Sequence, residues 1–309
     1  MATSTSTPPP SSAASSPSPS TTVDIDARLL HEWPLPEPDY ESDQEERGTL
    51  LVVAGSDETP GAAALAATAS LRAGAGRLIV ATTAGAAPGF ALAHPEARVI
   101  VLPDTEGGGI APDGLARIEA LLSRVDAILV GPGLMDAAAT KAFTRRIVKR
   151  STRPAVVLDA MAMELIIDLR RFERPVLLMP DAGEMAHLVG LSKAEVSADP
   201  ERYARDYATR WNAVIALKGA ATYIATPDGQ CWRHASSHVG LATSGSGDAL
   251  AGIIAGLAAR GAPLAQAAAW GVALHSRAGR SLAERLGPIG YLARELAAEL
   301  PRLMHSLAR

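Results

Sequence analysis

The chain has 309 residues, of which 48% are hydrophobic and 20% charged, with a net charge of −4 and a single cysteine, Cys231. That length suits one large α/β domain or two smaller ones. The acidic balance, with no basic stripe interleaved with aromatics, argues against a nucleic-acid partner. One cysteine excludes a disulfide framework and a cysteine-based zinc site.

Residues 1–22 contain only Met, Ala, Thr, Ser and Pro, a composition with nothing to bury, and are expected to be disordered. They lack the basic start and apolar stretch of a secretory signal. The longest uncharged apolar run, 249–259, is far short of the roughly 18 residues a membrane span needs. The expectation is a cytoplasmic protein without a membrane partner. An acidic segment, 37–46, separates the tail from the first strong strand. Residues 1–46 are therefore read as a dispensable tail and acidic linker, and 47–309 as one catalytic domain.

From residue 47 onward apolar runs alternate with helical patterns. Continuous runs at 49–54, 77–82, 98–102, 127–130, 155–158, 176–179 and 213–217 predict strands covered on both faces. Stretches 61–75, 113–124 and 136–150 predict helices, the last two opening on an acidic residue suited to a helix N-terminus. Such alternation predicts parallel strands joined by right-handed crossovers. Residues 222–226 and 230–234, joined by Pro227-Asp228-Gly229, predict a hairpin that adds antiparallel strands at one edge. The remainder is helical: 248–260 ending at Gly261, a helix from Pro263 to about Leu286, and 291–307 with a kink at Pro301. With only 4% aromatic residues, the core must be built from Ala, Val, Leu and Ile. The expected fold class is α/β, a three-layer α/β/α sandwich on a mainly parallel sheet with an antiparallel edge hairpin.

The most informative stretch is Gly240-Leu241-Ala242-Thr243-Ser244-Gly245-Ser246-Gly247-Asp248. Gly245 and Gly247 alternate with small hydroxyl residues, so backbone amides can turn inward unobstructed. A long apolar helix starts directly afterwards, and its free N–H groups and positive dipole end point at the same spot. Asp248 stands at the junction. It can cap the helix. It can also take the proton of a substrate hydroxyl while the helix N-terminus holds a transferring phosphoryl group.

Lys218-Gly219-Ala220-Ala221-Thr222 follows a buried strand and is placed for a phosphate or a ribose. Ser56 to Ala62, after the first strand, and Gly131-Pro132-Gly133, after another, stand where open α/β sheets bind ligands. Asp159 ends a further strand and serves as a cap or faces a metal or hydroxyl; no metal site is assigned. Asp181 can face the site, with Glu184 beginning the next helix. His187, His234, His238 and His275 have no ligand spacing among them and read as ordinary core or surface histidines. Cys231 reads as an inert core thiol.

Taken in order, these residues resemble the ADP-dependent NAD(P)H-hydrate dehydratases, a branch of the ribokinase-like superfamily. The resemblance covers about 48–304 and rests on seven motifs. They are Gly48…Val53-Ala54-Gly55-Ser56 with Gly61-Ala62, Leu71 to Gly76, Gly131-Pro132-Gly133-Leu134, Val157 to Ala160, Pro180-x-x-Gly183-Glu184, Leu217 to Ala220 with Thr222, and Gly240 to Asp248. It implies a ribokinase-like fold and a repair reaction. Hydrated NADH or NADPH (NADHX or NADPHX) is phosphorylated on its ring hydroxyl by ADP, or ATP, with Mg2+, and phosphate then leaves. The resemblance makes Asp248 the base and a substrate contact, with Gly245, Ser246 and Gly247 as the anion hole. Lys218, Gly219, Ala220, Ala221, Thr222 and Gly247 would hold the nucleotide, and Ala62, Gly131, Gly133 and Asp181 the hydrate. A homo-oligomer, dimer or tetramer, is also implied.

The chain departs from the family pattern mainly on the substrate side. Asp181 stands in a histidine place, Asp159-Ala160-Met161-Ala162-Met163-Glu164 lacks a second aspartate and an asparagine, and the first loop reads Asp57-Glu58-Thr59-Pro60. The Asn-Pro that precedes the anion loop is also replaced, around Ser237-His238. Two other readings share the same anion hole: a kinase of a small alcohol of the thiazole or hydroxymethylpyrimidine type, and a weakened nucleotide-binding homologue.

Overall fold

The computed structural model describes residues 21–37, 47–235 and 238–307. In chain order the elements are β1 (Val23–Asp24), α1 (Ala27–Glu32), β2 (Thr49–Val53), α2 (Pro60–Arg72), β3 (Arg77–Thr82), α3 (Ala87–Ala93) and β4 (Ala97–Val101). They continue with β5 (Ala127–Val130), α4 (Ala137–Arg150), β6 (Ala155–Leu158), α5 (Leu165–Leu169), β7 (Val176–Leu178), α6 (Ala182–Val189), α7 (Lys193–Ala198) and α8 (Pro200–Trp211). The last are β8 (Ala213–Leu217), β9 (Ala221–Ala225), β10 (Cys231–Ala235), α9 (Ser246–Ala259), α10 (Leu264–Leu286) and α11 (Ala293–Leu307).

The strands form one sheet in the order β1-β10-β9-β8-β7-β6-β5-β2-β3-β4. All pairings are parallel except those of β9, which runs against both β8 and β10. This is the expected mainly parallel sheet with its hairpin, shifted by one residue in each hairpin strand.

Residues along each strand alternate between two cores, as the period of two requires. Leu50, Val52 and Ala54 of the first strand run point to one side, with α2, α9, α10 and α11; Leu51 and Val53 point to the other, with α4 and α8. Both faces of the sheet are thus covered, which is the three-layer sandwich. Helices α2 and α9 approach closely because Gly252 and Gly256 have no side chains. A Cβ would fall 2.1 Å from Ala66 O at the first and 2.5 Å from Ser70 O at the second.

Two expectations are corrected. Residues 113–124 form 3-10 turns, Pro112–Arg117 and Glu119–Leu121, rather than an α-helix. Pro112 and Gly114 are poor helix formers, and the segment closes i→i+3 bonds such as Ile118 N to Leu115 O. The second correction concerns the tail and linker. Over 23–35 the chain is folded: β1 pairs in parallel with β10, and Ile25 and Leu30 are buried. Trp33 stacks on Trp232 with centroids 5.3 Å apart, and its carbonyl accepts from Trp270 Nε1 at 2.8 Å. Six apolar side chains in thirteen residues, Val23, Ile25, Leu29, Leu30, Trp33 and Leu35, give this segment an apolar content that the sequence of 1–20 does not have. The expected disorder of 1–20 and the acidic stretch 38–46 lie outside the described residues.

Candidate active site

Helix α9 opens on Gly245, whose φ of +83° is a left-handed turn that a glycine adopts without strain. Ser246 N bonds back to Thr243 O and Ala249 N to Gly245 O. The amides between them, of Gly247 and Asp248, have no hydrogen-bond partner among the described residues. Two donors at the positive end of a helix are an anion site. Gly247 borders a cavity of about 650 Å3 whose wall also includes Lys218, Gly219, Ala220, Thr222 and Ser246. Ala221 of the same loop is not part of that wall, and neither is Asp248.

Strand ends bring the charges together. Asp159 follows β6, Asp181 follows β7 and Lys218 follows β8, with Lys218 N bonded to Pro180 O at 2.8 Å. The Lys218 ammonium lies 3.5 Å from Asp159 Oδ1 and 3.6 Å from Glu184 Oε2. It also comes within 3.8 Å of the place a Cβ on Gly247 would take. Burial alone would lower the lysine pKa, but Asp159, Glu184 and Asp181 overcome it and hold the ammonium above its ordinary value. The Lys218 side chain is only 22% exposed.

Asp248 belongs electrostatically to this group. Burial and the nearby Asp159 charge push its carboxyl up to about 6, against the opposing pull of Lys218. A carboxylate poised near the working pH is suited to general-base work. Asp159 makes no cap hydrogen bond to the turn it precedes, so it faces Lys218 instead. Asp181 does cap: its Oδ1 accepts from Gly183 N and Glu184 N, and Glu184 returns a bond to Asp181 N. Asp181 still lines the Lys218 cavity.

A second wall forms from Ala62, Gly131 and Gly133. Gly55 N bonds to Pro132 O at 2.8 Å, and Thr59 Oγ1 donates to Gly133 O at 2.8 Å. A Cβ on Gly133 would meet Ala62 Cβ at 2.7 Å, and one on Gly131 would strike Asp159 O at 1.9 Å. These contacts join the wall to Asp159 but leave it outside the Lys218 cavity. Asp57 is tied away, its Oδ1 accepting from Thr83 Oγ1 at 2.7 Å.

His275, read from the sequence as an ordinary core or surface histidine, is buried. His275, in the middle of α10, lines the Lys218 cavity and reaches Ser246. Twenty-nine residues of separation leave no motif; only the packing of α10 on α9 reveals the pair. Cys231 is buried, and burial pushes its thiol up to about 11, as befits an inert core residue.

The family model that matches residues 50–302 is that of the NAD(P)H-hydrate dehydratases. The chain belongs to the NAD(P)H-hydrate dehydratase family. Among relatives, it is 45% identical to the ADP-dependent (S)-NAD(P)H-hydrate dehydratase of Xanthomonas campestris, over 92% of this chain and 97% of that protein. It is 39% identical to the bifunctional NAD(P)H-hydrate repair enzyme of Moorella thermoacetica over 84% of its length, but spans about half (50%) of that protein. The ADP/ATP-dependent NAD(P)H-hydrate dehydratase of Bacillus subtilis, co-crystallised with ATP and Mg2+, superposes with a TM-score of 0.79 at 31% identity, covering 93% of this chain and 99% of that one. In this member of the dehydratase family Asp181 both caps α6 and lines the Lys218 cavity. Among the described residues no helix is long and apolar enough to cross a membrane.

Proposed function

We propose that this chain repairs hydrated NADH and NADPH: a nucleotide-dependent dehydratase, a carbon–oxygen lyase, using ADP or ATP. Asp248 takes the proton from the ring hydroxyl, whose oxygen attacks the terminal phosphorus of the nucleotide. The bond to the bridging oxygen breaks, and the shortened nucleotide leaves. The amides of Gly247 and Asp248 and the Lys218 ammonium face the negative charge that spreads over the transferring group. The phosphorylated ring then loses phosphate from one carbon and a proton from its neighbour, which restores the ring double bond. Gly219, Ala220 and Thr222 would hold the nucleotide beside Lys218, while Ala62, Gly131, Gly133 and Asp181 would border the hydrate.

The described residues bring no three His, Cys, Asp or Glu side chains together as a metal cage. That fits magnesium, which is usually held by substrate phosphates and water with one or two carboxylates. Asp159 is the fitting carboxylate: its Oδ1 is buried without a hydrogen bond and meets Lys218 only as an ion pair. Bound there, the ion supplies neutralising charge to the phosphates.

The observation that carries this reading is Asp248 itself, a half-buried carboxyl raised to about 6 on the first turn of a helix whose amides are free. The test is product analysis with NADPH hydrate, magnesium and each nucleotide. Release of inorganic phosphate with an equal amount of reduced dinucleotide supports it. A stable phosphorylated product from a small alcohol, with the hydrate untouched, would establish the kinase reading instead.

A further inference from the structure

Helix α10 lies against α9 so closely that a Cβ on Gly271 would fall 2.4 Å from Ile254 Cγ1. One turn further along, the seam carries a polar contact. His275 Nε2 is 3.0 Å from Ser246 Oγ and 3.1 Å from the Ser246 carbonyl oxygen. The carbonyl has no proton to give, so the attraction requires the proton on Nε2. The ring is neutral, since burial pushes its pKa down to about 4 despite the opposing bond to Ser246.

The carbonyl matters because of what shares its peptide. The Ser246 C=O and the Gly247 N–H belong to one planar unit and point in opposite directions. A hydrogen bond that fixes the oxygen therefore fixes the aim of the amide proton. It also polarises the peptide and strengthens the N–H as a donor. That N–H is one of the two free amides at the anion turn, on the wall of the cavity that holds Lys218.

We propose that His275 is a positioning residue for phosphoryl transfer, holding the Ser246–Gly247 peptide so that the Gly247 amide faces the group in flight. The proposal rests on the dehydratase reading for its chemistry, but its structural half is independent of it. His275 acts through the carbonyl end of the peptide, while the ligand would meet its amide end. Losing an anion-hole donor outright costs on the order of 10²–10³ in rate; misaiming one costs less, about tenfold or more.

The test compares His275→Gln, whose amide nitrogen reaches the place of Nε2, with His275→Asn, whose nitrogen falls short. In the wild-type hydrate assay, H275N is expected to lose about tenfold or more in kcat with the KM for ADP moved less than about threefold. H275Q should keep kcat within about threefold of wild type. The Gly247 amide proton, read by 15N–1H NMR of the folded proteins without substrate, should shift in H275N and stay near its wild-type position in H275Q. Equal kcat losses in both variants, or a wild-type kcat in H275N, would overturn the proposal. Should H275N fail to fold, H275Q decides alone: a Gly247 amide at its wild-type position supports the proposal, and a displaced one overturns it. If the wild-type protein turns over no hydrate, the dehydratase reading fails, and the Gly247 shifts still decide the role of His275.

Discussion

Lys218 Nζ lies 3.5 Å from Asp159 Oδ1, across the ends of β8 and β6. With Glu184 Oε2 at 3.6 Å, this ammonium is the cation around which four carboxylates, counting Asp181 and Asp248, are arranged. Lys218→Met removes it and leaves Asp159, 3% exposed, as a buried charge without a partner. We expect a loss of about 2–4 kcal/mol in stability, read from the denaturant midpoint. The affinity for ADP should fall about tenfold or more, equivalent to about 1.4 kcal/mol, by calorimetry. Because Lys218 opposes the upward shift of Asp248, the acid limb of the pH–rate profile should also move to higher pH.

Asp248 sets activity against stability. Its folded pKa of about 6 is raised by burial and by Asp159, so the folded protein holds this proton more tightly than the unfolded chain does. The sign follows from proton linkage. Above pH 6 the ionised group penalises the folded state, and the penalty is relieved as pH falls from about 6 towards the unfolded value near 4. Asp248→Asn removes the charge at every pH. The variant should therefore be more stable than wild type at pH 7.5, by about 1–3 kcal/mol once partial exposure is allowed for, and the difference should shrink towards pH 4.5. A lower melting temperature for D248N at pH 7.5 would contradict the assignment of Asp248 as a strained carboxylate.

Two neighbouring glycines should respond differently. At Gly247 an added Cβ meets nothing nearer than Lys218 Nζ at 3.8 Å, so Gly247→Ala should fold with nearly unchanged stability. The methyl would stand between the ammonium and any phosphate, and ADP affinity should drop about tenfold. At Gly245 the positive φ is itself unfavourable to alanine, and the Cβ would lie 2.3 Å from Leu65 Cδ1. Gly245→Ala should cost about 1–3 kcal/mol, visible in thermal unfolding.

Residues 23–35 form an N-terminal strap held by β10 and α10. Trp33→Ala deletes the ring stacked on Trp232, and should destabilise the protein by about 2–4 kcal/mol. Truncation before residue 37 should do at least as much, because it also strips the partners of Gln266 and Trp270 from the chain. Unfolding midpoints equal to wild type would show the strap to be dispensable.

The central strands β2, β3, β5, β6, β7 and β8 were legible because each is an apolar run buried almost throughout, and the anion turn because Gly245, Gly247 and Asp248 adjoin a long apolar helix. The parts that were not legible share a cause. His275 acts through a contact made by helix packing, which leaves no local signature. The strap depends on Trp33 finding Trp232 some two hundred residues away. The turns at 112–121 had a helical pattern that Pro112 and Gly114 override. Asp159 was ambiguous between capping and facing the site, and only the position of Lys218 decides it.

The most direct test of the account is the turnover of Asp248→Asn with hydrated NADPH, ADP and magnesium, followed as recovery of the reduced-nicotinamide absorbance, alongside ADP affinity. The account predicts that D248N recovers no absorbance above background while binding ADP within about threefold of wild type. Recovery at a near wild-type rate would contradict it.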